Sequence, residues 1–228
     1  GKTFVKLYDE EREQVVFFIV DRSLSMETGS SNLTRLNLAS ETGALLLLAA
    51  NSNSCPVGCV FFDGKINFSC LPKNSIDQTM LILSKFANRE ENVSTGSALS
   101  SAIKGAQQIL KNRSMVFILS DFRTDDYQDN LARLSQKHDV VAIRFTDAND
   151  FELPDFGMVK VHDPETNEKR TFPTFSSNFK RSWRENSNNV LERWKYMCKK
   201  NGVIPLVIST ADDPALRLSR FFAIKEKV

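Results

Sequence analysis

Two acidic residues and two serines carry the strongest chemical signal in this sequence. Asp21-Arg22-Ser23-Leu24-Ser25 places one carboxylate and two hydroxyls at alternate positions, so all three oxygens can face one point as the chain turns. Leu119-Ser120-Asp121 supplies a second carboxylate after another apolar run. Donors of this kind suit a hard divalent cation. Mg2+ takes oxygen ligands in octahedral geometry and keeps several waters, so two hydroxyls and two carboxylates would hold it with a position left open. Mn2+ or Ca2+ would use the same donors, and an acidic side chain of a protein partner could fill the open position. An Asp followed by Ser at a strand end is also ordinary turn and cap chemistry. The second strand-end Asp is what raises the pattern above that.

For Asp21 and Asp121 to meet, the runs before them must be neighbouring parallel strands. Gln14 to Val20, Val57 to Phe62, Met115 to Ser120, Val140 to Phe145 and Val203 to Ser209 are apolar without alternation, as strands buried on both faces are. Asp63-Gly64 before Lys65 to Phe68 predicts a tight hairpin onto one antiparallel edge strand, with positive φ angles in the turn. Thr34 to Ala50, Ser75 to Ala87, Ser97 to Lys111 and Asp126 to Lys137 have apolar residues at helical spacing and read as crossover helices. The fold class is therefore α/β, a doubly wound Rossmann-like sheet, mainly parallel, with helices on both faces. Its binding crevice would lie beyond the carboxyl ends of the strands. Residues 1–228 read as a single domain with an irregular β insertion at about 147–174, where Gly157 to Val161 and Lys169 to Phe172 could pair across Asp163 to Asn167. A long polar helix follows from Phe175 to Lys200, stops at Asn201-Gly202, and a closing helix spans Pro214 to Phe222.

Composition narrows the function classes. Thirty Lys plus Arg against 28 Asp plus Glu leave a formal charge of +2, too little to predict nucleic-acid binding. The longest apolar run, Ala44 to Ala50, is far below the ~18 residues that cross a bilayer, so this stretch of chain is not expected to span a membrane. No signal peptide pattern opens it, and a start at Gly1 without Met suggests a piece of a longer protein. Cys55, Cys59, Cys70 and Cys198 show no CxxC spacing and read as reduced thiols of a cytoplasmic protein. An alternative to the binding module is a Mg2+-dependent phosphoester hydrolase, but no GxxxxGK[ST] or GxGxxG loop is present to cradle phosphates. Serine hydrolase chemistry lacks GxSxG, and the two histidines, His138 and His162, suit helix-end and surface roles. The basic helix with Lys180, Arg181, Arg184, Arg193, Lys195, Lys199 and Lys200 reads as a solvated face anchored by Trp183 and Trp194.

On these residues the sequence resembles the von Willebrand factor A superfamily, whose metal-ion-dependent adhesion site joins Asp-x-Ser-x-Ser to a Thr from another loop and a later strand-end Asp. The resemblance implies metal ligation at Asp21, Ser23, Ser25 and Asp121. The third loop departs from the usual Asn-Thr-x-Thr-Gly-x-Ala-Leu, reading Asn92-Val93-Ser94-Thr95-Gly96-Ser97-Ala98-Leu99. Val93 replaces the usual metal-linked Thr, so Ser94 or Thr95 would have to shift in. Thr95 is the candidate, though its type and place before a helix equally suit an N-cap. A more specific resemblance, covering nearly the whole chain, is to the bacterial domain-of-unknown-function family fifty-eight. It rests on Glu10-Glu11-Arg12-Glu13, His138-Asp139-Val140-Val141-Ala142, Glu152-Leu153-Pro154 with Gly157, Asp163-Pro164-Glu165-Thr166, and Ser209-Thr210 with Asp212-Asp213-Pro214. Genes of that family commonly neighbour those of MoxR-type AAA ATPases. The resemblance thus implies an adaptor in a chaperone-like or maturation assembly, with further sequence, sometimes membrane helices, before the part seen here.

Overall fold

A computed structural model describes residues 14–30, 33–88, 94–155, 157–162 and 169–225. The elements run β1 (Val16–Asp21), a 3-10 turn (Leu24–Glu27), α1 (Arg35–Ser52), β2 (Val57–Phe62), β3 (Ile66–Lys73), α2 (Ile76–Ala87), α3 (Leu99–Ile109) and β4 (Met115–Ser120). They continue α4 (Gln128–Ser135), β5 (Asp139–Thr146), a 3-10 turn (Ala148–Asp150), β6 (Met158–His162), β7 (Lys169–Pro173), α5 (Ser177–Lys200), β8 (Ile204–Ser209) and α6 (Pro214–Lys225). Six strands form one sheet in the order β3-β2-β1-β4-β5-β8, and β6 and β7 pair separately. Within the large sheet only β3 is antiparallel. The expected doubly wound sheet with one antiparallel edge strand is the one found.

β1 shows why the interior strands are apolar throughout. Phe18 and Val20 pack with Leu38, Leu47, Ile82 and Leu218 under α1, α2 and α6. Their neighbours Phe17 and Ile19 pack with Leu99, Ile103, Leu131 and Trp194 under α3, α4 and α5. Helices on both faces leave no solvated side for a polar residue to occupy. The entry to α1 is fixed by Thr34, which accepts from the Asn37 amide, that to α2 by Ser75 and that to α5 by Ser176. Such caps contribute about 1 kcal/mol each. At the far end of α5, Gly202 takes φ +72° and the Val203 amide donates back to the Cys198 carbonyl at 2.9 Å, closing the helix as Asn-Gly predicted.

Several expectations change. Gly64 is absent from the positive-φ residues, so the turn between β2 and β3 is not of the expected primed type. Glycine is needed there for close approach: a Cβ on Gly64 would lie 2.0 Å from the Thr95 carbonyl oxygen. Thr95 is exposed and does not cap α3, whose N-cap position is Ala98 without a side-chain cap bond. The helix begins at Leu99 rather than Ser97 because the turn at 94–98 is pulled onto the β2–β3 hairpin. Trp194 is buried as an anchor of α5, but Trp183 is only half-buried and borders a cavity. Cys59 and Cys70 face one another across β2 and β3 with sulfurs 3.4 Å apart, and all four cysteines are free thiols. Val93, the Glu10 to Glu13 run and the Asp163 to Thr166 turn lie outside the described residues. Among the described residues no helix is long and apolar enough to cross a membrane.

Candidate metal centre

The site grows from the register of two strands. β1 and β4 are adjacent and parallel with Val20 opposite Leu119, which sets Asp21 level with Ser120 and Asp121 one residue beyond. Both carboxylates are buried, at 1% and 2% exposure. Ser120, immediately before Asp121, donates its hydroxyl to Asp21 Oδ2 at 2.5 Å. Asp21 Oδ1 accepts the Ser23 amide at 2.9 Å, an Asx turn that bends the chain back over the strand tip.

Beyond that turn the side chains alternate. Ser23 and Ser25 bring their hydroxyls to 3.1 Å from one another. Arg22 between them points away: its guanidinium donates to the Asn88 carbonyl at 2.8 Å and to the Lys85 carbonyl, and lies over the Phe61 ring. It caps the C-terminal end of α2, where a cation meets the negative end of the helix dipole. Arg35, at the start of α1, donates to the Ser25 carbonyl at 3.2 Å and pairs with Asp150. The serine loop is thereby fixed from two sides.

Asp121 opens the turn after β4. Phe122 follows it at φ +53°, an uncommon conformation for a bulky residue, with its amide donating to Ser120 Oγ at 3.0 Å. This kink returns the Arg123 amide to Asp121 Oδ1 at 3.1 Å. Arg123 then spans two acids, with Nη2 2.5 Å from Asp150 Oδ1 and Nε 3.7 Å from Asp121 Oδ2. Beside this turn sits the third loop, clamped by the β2–β3 hairpin. Asp63 Oδ2 accepts the Ser94 amide at 3.0 Å, and its carbonyl accepts the Ala98 amide at 2.7 Å.

Asp21, Ser23, Ser25 and Asp121 therefore line one small hollow, together with Ser97, Arg123 and Thr124. The third-loop hydroxyl at this hollow is that of Ser97, while Thr95 lies outside its lining. Two buried oxygens here, Asp121 Oδ2 and Ser97 Oγ, make no hydrogen bond. Buried polar atoms in native folds are nearly always satisfied, so two orphans on one hollow fit an ion between them. The donors are carboxylate and hydroxyl oxygens alone, the set that hard cations such as Mg2+, Mn2+ and Ca2+ take. Electrostatics agree. Burial, and then the like charge of Asp121, push Asp21 up to about 7 against the pull of the Ser120 and Ser23 hydrogen bonds. A nearby divalent charge would reverse that pressure.

The loop after β5 forms the next wall. Although burial opposes it, bonds from the Ser30 amide at 2.9 Å, the Thr210 hydroxyl at 2.7 Å and the Asn149 amide at 3.0 Å hold Asp147 down at about 2. One carboxylate, charged down to about pH 2, thus ties three strand-end loops together. Ser120 had a sequence signal in its place beside Asp121. Ser97, Arg123 and Asp147 act through contacts between distant loops, and spacing along the chain does not encode those.

The fold is that of a doubly wound α/β domain, a mainly parallel sheet with one antiparallel edge strand. The family described as "Protein of unknown function DUF58" matches residues 1–192, and this chain belongs to it. The uncharacterized protein Rv1480 of Mycobacterium tuberculosis is 24% identical over 177 residues, 75% of this chain and 56% of its own length. The uncharacterized protein MAV169 of Mycobacterium avium is 37% identical over 75 residues, 32% of this chain and 44% of its own. The chain spans about half the length of the curated relatives it matches. Among solved structures it is similar to the conserved hypothetical protein BatB from Bacteroides thetaiotaomicron, with TM-score 0.59 and 14% identity, over 93% of this chain and 98% of that one. An aerotolerance-related membrane protein from Bacteroides fragilis gives TM-score 0.60 and 14% identity over 93% and 99%. At such identities the likeness is one of fold.

Proposed function

We propose that this chain is a metal-dependent protein-binding module. Asp21, Ser23, Ser25 and Asp121 would hold a divalent cation, Mg2+ first and Mn2+ or Ca2+ by the same chemistry, with Ser97 as the third-loop hydroxyl. An acidic side chain of a protein partner would complete the ion's shell. The observation that carries this reading is the pair of buried carboxylates on adjacent strand tips, one with an oxygen that accepts no hydrogen bond in the described chain and has only the longer Arg123 ion pair. The family resemblance supports a MoxR-type AAA ATPase as that partner, with this chain as its adaptor in a chaperone-like or maturation assembly. Cytoplasmic placement, with any membrane attachment supplied by sequence outside this chain, belongs to the same proposal.

Isothermal titration with Mg2+ and Mn2+, paired with thermal unfolding, tests it. Wild type should bind and gain stability, since an ion that binds only the folded state shifts unfolding by mass action. Asp21→Ala should abolish both effects, Ser97→Ala should weaken affinity on the order of tenfold, and Thr95→Ala should change it less than about twofold. A wild type showing neither heat nor stabilisation, indistinguishable from Asp21→Ala, would end the metal reading. Co-purification of the longer protein with and without EDTA addresses the partner. Phosphatase turnover lost in Asp121→Ala would replace the adaptor with a hydrolase.

A further inference from the structure

Next to the hollow, and sharing Arg123 and Thr124 with it, opens a cavity of about 740 Å³. The turns after β4 and β5 and one face of α5 enclose it, and its size falls within the range of small-molecule sites, ~300–1,000 Å³. Its walls are largely apolar, with Phe122, Phe151, Leu153, Trp183, Val190 and Leu191 among them. Arg144 on β5 also lines it, 9% exposed, with its guanidinium carbon 5.4 Å from the centre of the Trp194 ring.

The arginines around this end of the sheet are employed differently. Arg22 caps α2, Arg35 pairs with Asp150, and Arg123 bridges Asp150 and Asp121. Arg144 has no hydrogen bond or ion pair with any described residue; its guanidinium lies over the indole ring and feels the charge of Asp121 only across a distance. A guanidinium keeps its charge and presents five donors in a rigid planar fork. Burying such a charge without an anion costs several kcal/mol, and stacking on one ring offsets only part of that. Asp150, which shares the cavity wall, is already occupied: Oδ1 accepts from Arg35 and Arg123, and Oδ2 accepts the Asp147 amide at 2.8 Å. Asp125 sits exposed at the rim. The cavity therefore combines apolar walls with one positive charge at depth that no described residue hydrogen-bonds, which fits a monoanion better than a phosphate dianion.

The structure assigns this cavity as a binding site for a small amphipathic carboxylate, with its acid group on the Arg144 fork and its aromatic or branched apolar body between Phe151, Trp183 and Leu191. Binding there needs no ion at Asp21 and Asp121, although the two hollows share Arg123 and Thr124. Thr146, Asn149 and Ser187 on the lining can accept or donate to polar substituents on that body.

A matched pair of probes tests it: 1-naphthaleneacetate and its neutral amide, titrated calorimetrically into the 228-residue chain in EDTA, so that no metal can recruit the acid. The acid should bind at least roughly tenfold more tightly than the amide, as a charged hydrogen-bonded contact predicts. Arg144→Gln should bring the two probes to within about twofold while leaving the amide unchanged. Ser187→Trp, which fills the cavity from half-buried α5 and keeps Arg144, should block both. It also covers the case in which Arg144→Gln fails to fold. Equal affinity of acid and amide for wild type, no binding of either, or an acid preference that survives Arg144→Gln or Ser187→Trp would overturn the assignment.

Discussion

Asp21 is the residue on which the site turns. Burial and the neighbouring Asp121 raise it to about 7, so in the metal-free protein it carries a proton over much of the mildly acidic range. A divalent ion needs the ionised form and must displace that proton. At pH 6, Mn2+ binding should therefore release nearly one proton per ion, read from binding enthalpies in two buffers of different ionisation heat. Asp21→Asn, neutral at every pH, should release none. A wild-type proton count near zero would mean that Asp21 is already ionised and the two acids are not competing for one charge. The two carboxylates and the Ser23 and Ser25 hydroxyls were legible in the sequence because strand tips and a two-residue alternation fix where such side chains point. The third-loop hydroxyl was not. Whether Ser94, Thr95 or Ser97 reaches the hollow depends on where α3 begins, and that is set by the Asp63 bonds to Ser94 and Ala98.

At the scale of elements, the interior strands could be read from their continuous apolar runs, and the adjacency of β1 and β4 from the chain order of a doubly wound sheet. Asp63-Gly64 likewise announces a tight hairpin onto an antiparallel edge strand, which β3 is, but not the conformation of its turn. The hairpin also presses Gly64 against the Thr95 carbonyl and holds the loop that delivers Ser97. Gly64→Ala must push that loop away, because its Cβ would stand 2.0 Å from a backbone oxygen. The variant should lose about 1–3 kcal/mol of stability, the range for overpacking, and also bind Mn2+ more weakly than wild type. Gly105→Ala is the control. It lies within α3, where an added Cβ meets nothing within 4 Å, and should gain on the order of 0.5–1 kcal/mol with metal affinity intact. Equal effects of the two variants in urea titrations would mean that the close approach does not constrain the loop.

For the molecule as a whole, two layers of helices bury the sheet, and stability is given up where its carboxyl edge meets solvent. Raising a carboxyl from 3.8 to about 7 corresponds to on the order of 4 kcal/mol between its protonation states. The sign follows from proton binding. A carboxyl with a folded pKa above its unfolded value holds the proton more tightly in the fold. Its stabilisation is complete below pH 3.8 and is lost as pH rises through 7. Asp147, held at about 2, works in the opposite sense but between 2 and 3.8, so the two windows do not overlap. Without metal, the Asp21 contribution to stability should fall between about pH 4 and 7. Asp121→Asn keeps the shape of the side chain and removes the like charge. What it forfeits is the half-exposed Arg123 pairing, worth only ~0–1 kcal/mol. In EDTA at pH 7.5 it should melt above wild type, with a flatter dependence between pH 5 and 7, and it should lack the rise in melting temperature that Mg2+ is expected to give wild type. For a chain of this length 1 kcal/mol moves the midpoint by ~2–4 °C, so even a fraction of the effect is visible in scanning calorimetry. If the variant instead melted below wild type under those conditions, the two acids would not be in electrostatic conflict, and the physical ground for placing a cation between them would be gone.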